Sequence, residues 1–421
     1  MIQKFLIKGG VPLSGEVEIS GYKNSAGAVL SAALLTEEPC IIDNLPLCTD
    51  VLDQISIIEQ MGGKIEWLSD HKIKLDAKNL NPEKIPFGLF QKMRVSVLLI
   101  GPLLARFRKF KVPHPGGDKI GIRPVAMHLE TLKKFGVKFW EENGFYCFET
   151  PENIEGAVIA LKEFSVIGTE IVMMLAACAK GKTVIEIAAA EPQVQDLCAM
   201  LQQMGAKIKG CGNHTLEIEG KNKLSGTEFS ICADPLETGT FLIAFALTGG
   251  QGIIKNTEPQ HLTFFLERMK DIGVNLEING TQITVNPSTA FKGTKIQVLP
   301  YPGFPTDLEP QTTVLLTQAQ GKSLVHEPLY ENRFQYLHEL RKMGADIEIT
   351  DPHRALVFGK TELTGTKVDA SDIRAGAALI LAGLTARGET IVDNIFHIER
   401  GYEKFDQKLK SLGAVIEKIE E

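Results

Sequence analysis

A basic excess is missing from this sequence: 45 Lys and Arg stand against 52 Asp and Glu, a formal charge of −7 at pH 7 over 421 residues. Nucleic acid or an anionic bilayer would select the opposite sign, so neither is an expected partner. A small anion would have to meet a local cluster of cations. A long apolar run is missing too. Val95 to Ala105 (VSVLLIGPLLA) is about half of the roughly 20 residues that cross a bilayer, and it contains Gly and Pro. The opening MIQKFLIKGG has neither the apolar centre nor the cleavage site of a signal peptide and reads as a short strand. The seven cysteines are odd in number, scattered and without a C-x-x-C pair, which suggests neither a disulfide framework nor a zinc site, and a reducing, cytoplasmic setting is expected. Aromatics are only 7%, with 2 Trp, so the core must be aliphatic. The nine histidines lack metal-ligand spacing, and no G-x-S-x-G, P-loop or dinucleotide glycine motif is present. No metal and no cofactor are expected.

What is present is repetition. QMGGKIEW, KFGVKFW, QMGAKIKG, DIGVNLEI, KMGADIEI and SLGAVIEK place a glycine at Gly62, Gly136, Gly205, Gly273, Gly344 and Gly413, 68 to 74 residues apart. Near-constant spacing along a whole chain marks a duplicated supersecondary unit. Each unit opens on a Gly and an alternating strand: Ser14 starts SGEVEIS, Glu155 EGAVIAL, Ser225 SGTEFSI, Lys292 KGTKIQV and Thr364 TGTKVDA, with a degenerate copy near Phe87. An Ala-rich stretch fit for a buried helix, a second strand, an amphipathic helix, the repeated glycine and a β pair follow. The unit reads β-α-β-α-β-β, six times. A solenoid usually has shorter repeats, so two sets of three are expected, dividing near residues 229 to 235.

Loops at one end of repeated elements face the same way and are where function collects. Here they carry Lys23 and Asn24, Arg94, Asp118 and Arg123, Ser165, Glu237, Asp307, Glu331 and Arg333, Asp372 and Arg374, and Glu399 and Arg400. Each precedes an expected helix, whose unpaired N–H groups favour an anion. Taken singly, Asp307 or Ser165 reads as a helix N-cap and an Arg there as a solvated side chain. The set of six cations is what suggests a site for a small anion.

The segments SGYKNSA, MRVS with GPLLAR, PGGDKIGIRPV, DPLETGTF, YPGFPTDLEPQ, ENRF, SDIRAGAALILAG and HIERGYE run end to end. Together they resemble the UDP-N-acetylglucosamine 1-carboxyvinyltransferase family of enolpyruvyl transferases. The resemblance implies an α/β fold: a two-domain inside-out α/β barrel of six β-α-β-α-β-β repeats, three per domain. One domain would be 22–232, carrying the PGGD loop, and the other 1–21 plus 233–421, with the active site in the cleft between them. It also implies transfer of the enolpyruvyl group of phosphoenolpyruvate to the sugar 3′-hydroxyl of UDP-N-acetylglucosamine, through a tetrahedral intermediate that loses phosphate. The catalytic group would be Asp118, Lys23, Asp307 and Arg400. Phosphoenolpyruvate would be held by Lys23, Asn24, Arg123, Arg374 and Arg400, cations that match its phosphate and carboxylate. UDP-N-acetylglucosamine would be held by Arg94, Arg123, Pro124, Val125, Met127, Ser165, Val166, Asp307 and Leu329, Asp307 acting as base or positioning carboxylate. Its partners are then these two small molecules, with no obligate protein partner implied.

Departures from the family pattern carry their own expectations. Most members have Cys after Pro115-Gly116-Gly117 as the general acid; Asp118 stands there, which a minority share. A free Asp has a pKa of about 3.9 against about 8.5 for Cys, so an acid-shifted activity profile is expected. A carboxylate is a poorer nucleophile than a thiolate, so fosfomycin, which alkylates that Cys, should fail. Ala126, Glu163, Thr49 and Ala190 replace an Asp, two Lys and an Arg that are common in the family. Ala126 and Glu163 keep open a different enolpyruvyl acceptor as the nearer alternative; a non-catalytic nucleotide-sugar-binding homologue is the remoter one.

Overall fold

The computed structural model describes residues 3–117, 120–121 and 125–420. The expectations placed on Asp118, Arg123 and Pro124, and on the side chains of Ala126 and Met127, lie outside the described residues. The chain separates into two compact units, Met1–Ser20 with Asp118–Ile122 and Ala233–Glu421, and Gly21–Gly117 with Arg123–Cys232. The fold is mixed α/β with many sheets.

In the first unit, three helices pack on one another: Pro235–Leu247, Glu309–Thr317 and Ile373–Thr385. All thirteen residues of the first and all nine of the second are buried, so these helices are core on every side rather than amphipathic. Their threonines stay satisfied by bonding back one turn, as Thr240 to the Leu236 carbonyl and Thr312 to that of Leu308, both at 2.7 Å. In the second unit, Lys23–Ala33 and Val166–Ala176 flank the Arg94–Leu99 3₁₀ turn that runs on into Ile100–Arg106. The apolar run noticed in the sequence is this buried segment.

Among the described residues five of the sheets share one pairing order: a strand parallel to a central one, then two antiparallel strands. The order explains why residues 3–18 belong with the C-terminal half. Ser14–Glu18 pairs in parallel with Gln251–Lys255, while Glu228–Ser230 pairs in parallel with Cys40–Asp43, a mutual exchange. Gln3–Lys8 lies antiparallel between Glu389–Asp393 and Val415–Glu420, so the first strand completes the last sheet. The sixth sheet, formed by Lys109–Pro113, Phe145–Glu149 and Lys138–Glu142, has no parallel strand, matching the degenerate copy near Phe87. The six repeated glycines all have φ between 78° and 109°, the left-handed region in which a helix is closed before a strand begins. No helix among the described residues is long and apolar enough to cross a membrane.

One expectation is corrected. The cysteines suggested no disulfide framework, yet Cys198 and Cys211 are bonded, with Cα atoms 6.2 Å apart. Cys198 lies on Pro192–Gln203, and the chain returns to it through a turn in which Gly210 and Gly212 both have positive φ. A spacing of thirteen residues carries no signature of that return.

Candidate active site

In the first unit, Asp307 belongs to the 3₁₀ turn Thr306–Leu308 that leads into Glu309–Thr317. It does not cap the helix. Oδ1 accepts from Arg333 Nη2 at 3.0 Å and Oδ2 from Arg374 Nε at 3.1 Å, so one carboxylate is shared by two guanidinium groups. The arginine side chains are 2% and 5% exposed and that of Asp307 28%, which makes the carboxylate the member a ligand can reach. Arg374 is placed by the first turn of Ile373–Thr385, whose N-cap Asp372 accepts from the N–H groups of Arg374 and Ala375 at 2.8 and 3.0 Å. Asp372 also lies 3.8 Å from Arg333 Nη1. The Arg374 guanidinium sits over the Tyr402 ring at 5.2 Å, and the Tyr402 hydroxyl is held by Thr240 and Gln311 at 2.9 and 3.2 Å. Burial works against the charge on Arg333, but Asp372 and Asp307 outweigh it and its pKa lies above the ordinary arginine value.

Two buried carboxyl groups back this cluster. Glu309 Oε1 receives the Thr313 hydroxyl at 2.7 Å and the Tyr336 hydroxyl at 2.5 Å, and burial pushes its pKa up to about 7. Its Oε2 has no hydrogen-bond partner among the described residues. Glu327 binds Thr306 and the Leu329 N–H, and burial raises its pKa too.

In the second unit, Lys23 opens helix Lys23–Ala33 and is ion-paired with Asp50 at 2.8 Å; the side chains are 12% and 4% exposed. Asn24 donates to the Tyr22 hydroxyl at 3.1 Å. Ser165 caps Val166–Ala176 by accepting from Gly168 N at 3.1 Å, and its hydroxyl lies 3.1 Å from His128 Nε2. Glu163 is 3.7 Å from the same nitrogen. Burial first, and Arg94 second, lower the His128 pKa to about 4, so this imidazole is neutral at pH 7. The glycines before position 118 are set by close approach. A Cβ on Gly116 would lie 1.8 Å from the Gln91 carbonyl oxygen, and Gly117, at φ 113°, would meet Arg94 Cβ at 2.9 Å. Arg94 and the Pro-Gly-Gly loop are thus placed by each other.

Of the residues expected from sequence, Asp307 and Arg374 are brought together, and Arg94 and Ser165 share His128 as a neighbour. Val125 starts helix Val125–Thr131 and is buried, Val166 follows the Ser165 cap, and Leu329 is 43% exposed. Arg400 does not begin a helix but ends the short Phe396–Glu399. The reading from sequence passed over Asp50, His128 and Glu327, and it left Arg333 out of the substrate set although the ENRF loop had marked it. Asp50 and Glu327 carry no motif; His128 stood two residues beyond Ala126, already noted as a departure. Among the described residues, no group of three or more His, Cys, Asp or Glu is arranged to hold a metal ion.

Residues 7–409 match the family model described as EPSP synthase (3-phosphoshikimate 1-carboxyvinyltransferase). The chain is 43% identical over 423 residues to the UDP-N-acetylglucosamine 1-carboxyvinyltransferase of Koribacter versatilis (strain Ellin345), covering 100% of this chain and 97% of that one. It is 41% identical to the enzyme of the same name from Thermotoga maritima, covering 99% of each. In fold it is similar to the enolpyruvyl transferase NikO from Streptomyces tendae, with a TM-score of 0.89 at 23% identity over 99% of both chains. EPSP synthase from Acinetobacter baumannii follows with a TM-score of 0.76 at 19% identity, over 99% of this chain and 100% of that one. The chain belongs to the EPSP synthase family of enolpyruvyl transferases and, within it, to the UDP-N-acetylglucosamine 1-carboxyvinyltransferases.

Proposed function

We propose that this protein transfers the enolpyruvyl group of phosphoenolpyruvate to the 3′-hydroxyl of UDP-N-acetylglucosamine and releases phosphate, the first committed step of peptidoglycan precursor synthesis. What carries the reading is the full-length identity of 43% to an enzyme named for that reaction. The attacking 3′-oxygen bonds to C2 of phosphoenolpyruvate and gives up its proton, which Asp307 receives or positions. A proton is delivered to C3, and Asp118 is the acid we assign to it. The tetrahedral intermediate then loses phosphate from C2 and a proton from C3. Lys23, Asn24, Arg123, Arg374 and Arg400 bind phosphoenolpyruvate, while Arg94, Arg123, Pro124, Val125, Met127, Ser165, Val166, Asp307 and Leu329 bind the nucleotide sugar. In this reading each domain, 22–232 and 1–21 with 233–421, is an inside-out barrel of three repeats.

A second reading, a different acceptor, is favoured by Glu163. Its carboxylate stands 3.7 Å from His128 and beside Ser165, where a diphosphate would meet a like charge. Phosphate release from phosphoenolpyruvate, measured with UDP-N-acetylglucosamine and with other hydroxyl acceptors, separates the readings. Release with UDP-N-acetylglucosamine is expected, and Glu163→Lys should lower the KM for it severalfold, about 1 kcal/mol of relieved repulsion. Release with another acceptor alone moves the assignment to that acceptor, and no release with any leaves a binding role.

A further inference from the structure

Glu327 stands one residue beyond strand Ala319–His326 and is completely buried. Its backbone is pinned on both sides by His353, whose carbonyl accepts from Glu327 N at 2.8 Å and whose Nδ1 lies 2.8 Å from the Glu327 carbonyl oxygen. The carboxylate is divided between two loops. Oε2 accepts from the Thr306 hydroxyl at 2.6 Å, Oε1 accepts from the Leu329 N–H at 2.8 Å, and the Tyr330 N–H of the same loop also bonds the carboxylate. Thr306 immediately precedes Asp307, and its carbonyl accepts from Arg333 Nη2 at 3.1 Å, the nitrogen that also holds Asp307. A buried carboxyl is costly where an apolar side chain would fill the space, and what it supplies that an apolar side chain cannot is two acceptors for two separate loops.

We infer that Glu327 is a positioning residue that ties the Asp307 turn to the Leu329 loop and thereby sets the acceptor side of the transfer. The inference rests on the enolpyruvyl-transfer reading, in which Asp307 meets the attacking hydroxyl and Leu329 the nucleotide sugar. Losing the Thr306 bond frees the turn that carries Asp307. Losing the Leu329 bond frees the other wall of the acceptor pocket. The two bonds therefore have separate kinetic signatures.

The test compares Glu327→Ala, Glu327→Gln, Thr306→Val and the double variant Glu327→Ala/Thr306→Val in the full chain, by phosphate release with each substrate varied in turn. Glu327→Ala should lower kcat about 100-fold, the scale of a misplaced catalytic group, and raise the KM for UDP-N-acetylglucosamine. Thr306→Val should lower kcat about tenfold and leave that KM alone, since the Leu329 bond is intact. The double variant should match Glu327→Ala rather than multiply the two losses. Glu327→Gln, which can accept from Leu329 N–H and donate to a turned Thr306 hydroxyl, should recover most of kcat. The KM for phosphoenolpyruvate should stay within about twofold throughout. A purely structural role would lower the melting temperature and leave these ratios unmoved, and that result, or multiplied losses in the double variant, overturns the inference. If Glu327→Ala does not fold, Thr306→Val alone must show the drop in kcat. If the unaltered protein releases no phosphate with UDP-N-acetylglucosamine, the functional reading fails separately. Crystal structures of Glu327→Gln and Thr306→Val then decide: Asp307 displaced from Arg333 in Thr306→Val supports the positioning role, and Asp307 unmoved in it refutes that role.

Discussion

In the mechanism we propose, Asp118 is the general acid. A general acid works while protonated, so the rate falls as pH rises through its pKa. With ordinary values of about 3.9 for Asp and about 8.5 for Cys, the descending limb of kcat/KM should lie at lower pH in this protein than in Asp118→Cys. Overlapping profiles would remove Asp118 from the role. The same swap should open the protein to covalent inactivation by fosfomycin, seen as an adduct by mass spectrometry in Asp118→Cys and not in the unaltered protein. At Arg333 the consequence is stability. The Arg333 side chain is 2% exposed and pairs with Asp307 and Asp372, so Arg333→Ala leaves the buried Asp372 without that cation and Asp307 with Arg374 alone. Breaking such a buried pair costs about 3 kcal/mol, discounted to about 2 kcal/mol because Asp307 keeps contact with solvent, and urea unfolding should show the loss.

At the scale of elements, the Pro-Gly-Gly loop is seated through Gly116. With Gly116 packed against the Gln91 carbonyl, Gly116→Ala forces the loop off its seat, and kcat should fall by about 100-fold while the melting temperature changes little. Unchanged kcat would mean that the seat does not matter. The helix-to-strand glycines were legible in the sequence because each must close a helix in the left-handed region, a requirement that leaves the same letter at the same spacing. Strand exchange was a different matter. Ser14–Glu18 and Glu228–Ser230 have equivalent local patterns, and alternation tells which face a strand buries, not which strand it joins. Long-range side-chain partners were hidden for the same reason: Asp50 reads as an ordinary acid in a first helical turn, yet it holds Lys23. The Cys198–Cys211 bond depends on a turn whose return path no spacing rule describes.

Across the whole molecule, buried titratable groups pull stability in opposite directions with pH. Burial raises Glu309 from 4.5 to about 7 and Asp234 from 3.8 to about 6. Between roughly pH 4 and 7 the unfolded chain releases these protons and the folded chain keeps them, so their contribution is lost as pH rises through that window. His128 is lowered from 6.5 to about 4, so the unfolded chain takes up its proton first, and that contribution is lost as pH falls from about 6.5 to 4. Urea unfolding at pH 5 and pH 7.5 should show a smaller loss on raising the pH in Glu309→Gln than in the unaltered protein; an equal loss would mean Glu309 does not hold a proton. Cations at equivalent turns of the repeats were legible because they stand out in a chain of net charge −7. The sequence left hidden that Asp307 divides itself between Arg333 and Arg374, since that requires three loops to be folded at once. The most direct measurement of the central claim is the product formed from phosphoenolpyruvate and UDP-N-acetylglucosamine. The account predicts phosphate released in equal amount to a nucleotide sugar carrying an enolpyruvyl ether at its 3′-oxygen, identified by mass spectrometry and NMR. Phosphate without that ether, or an unchanged nucleotide sugar after prolonged incubation with folded protein, would contradict it.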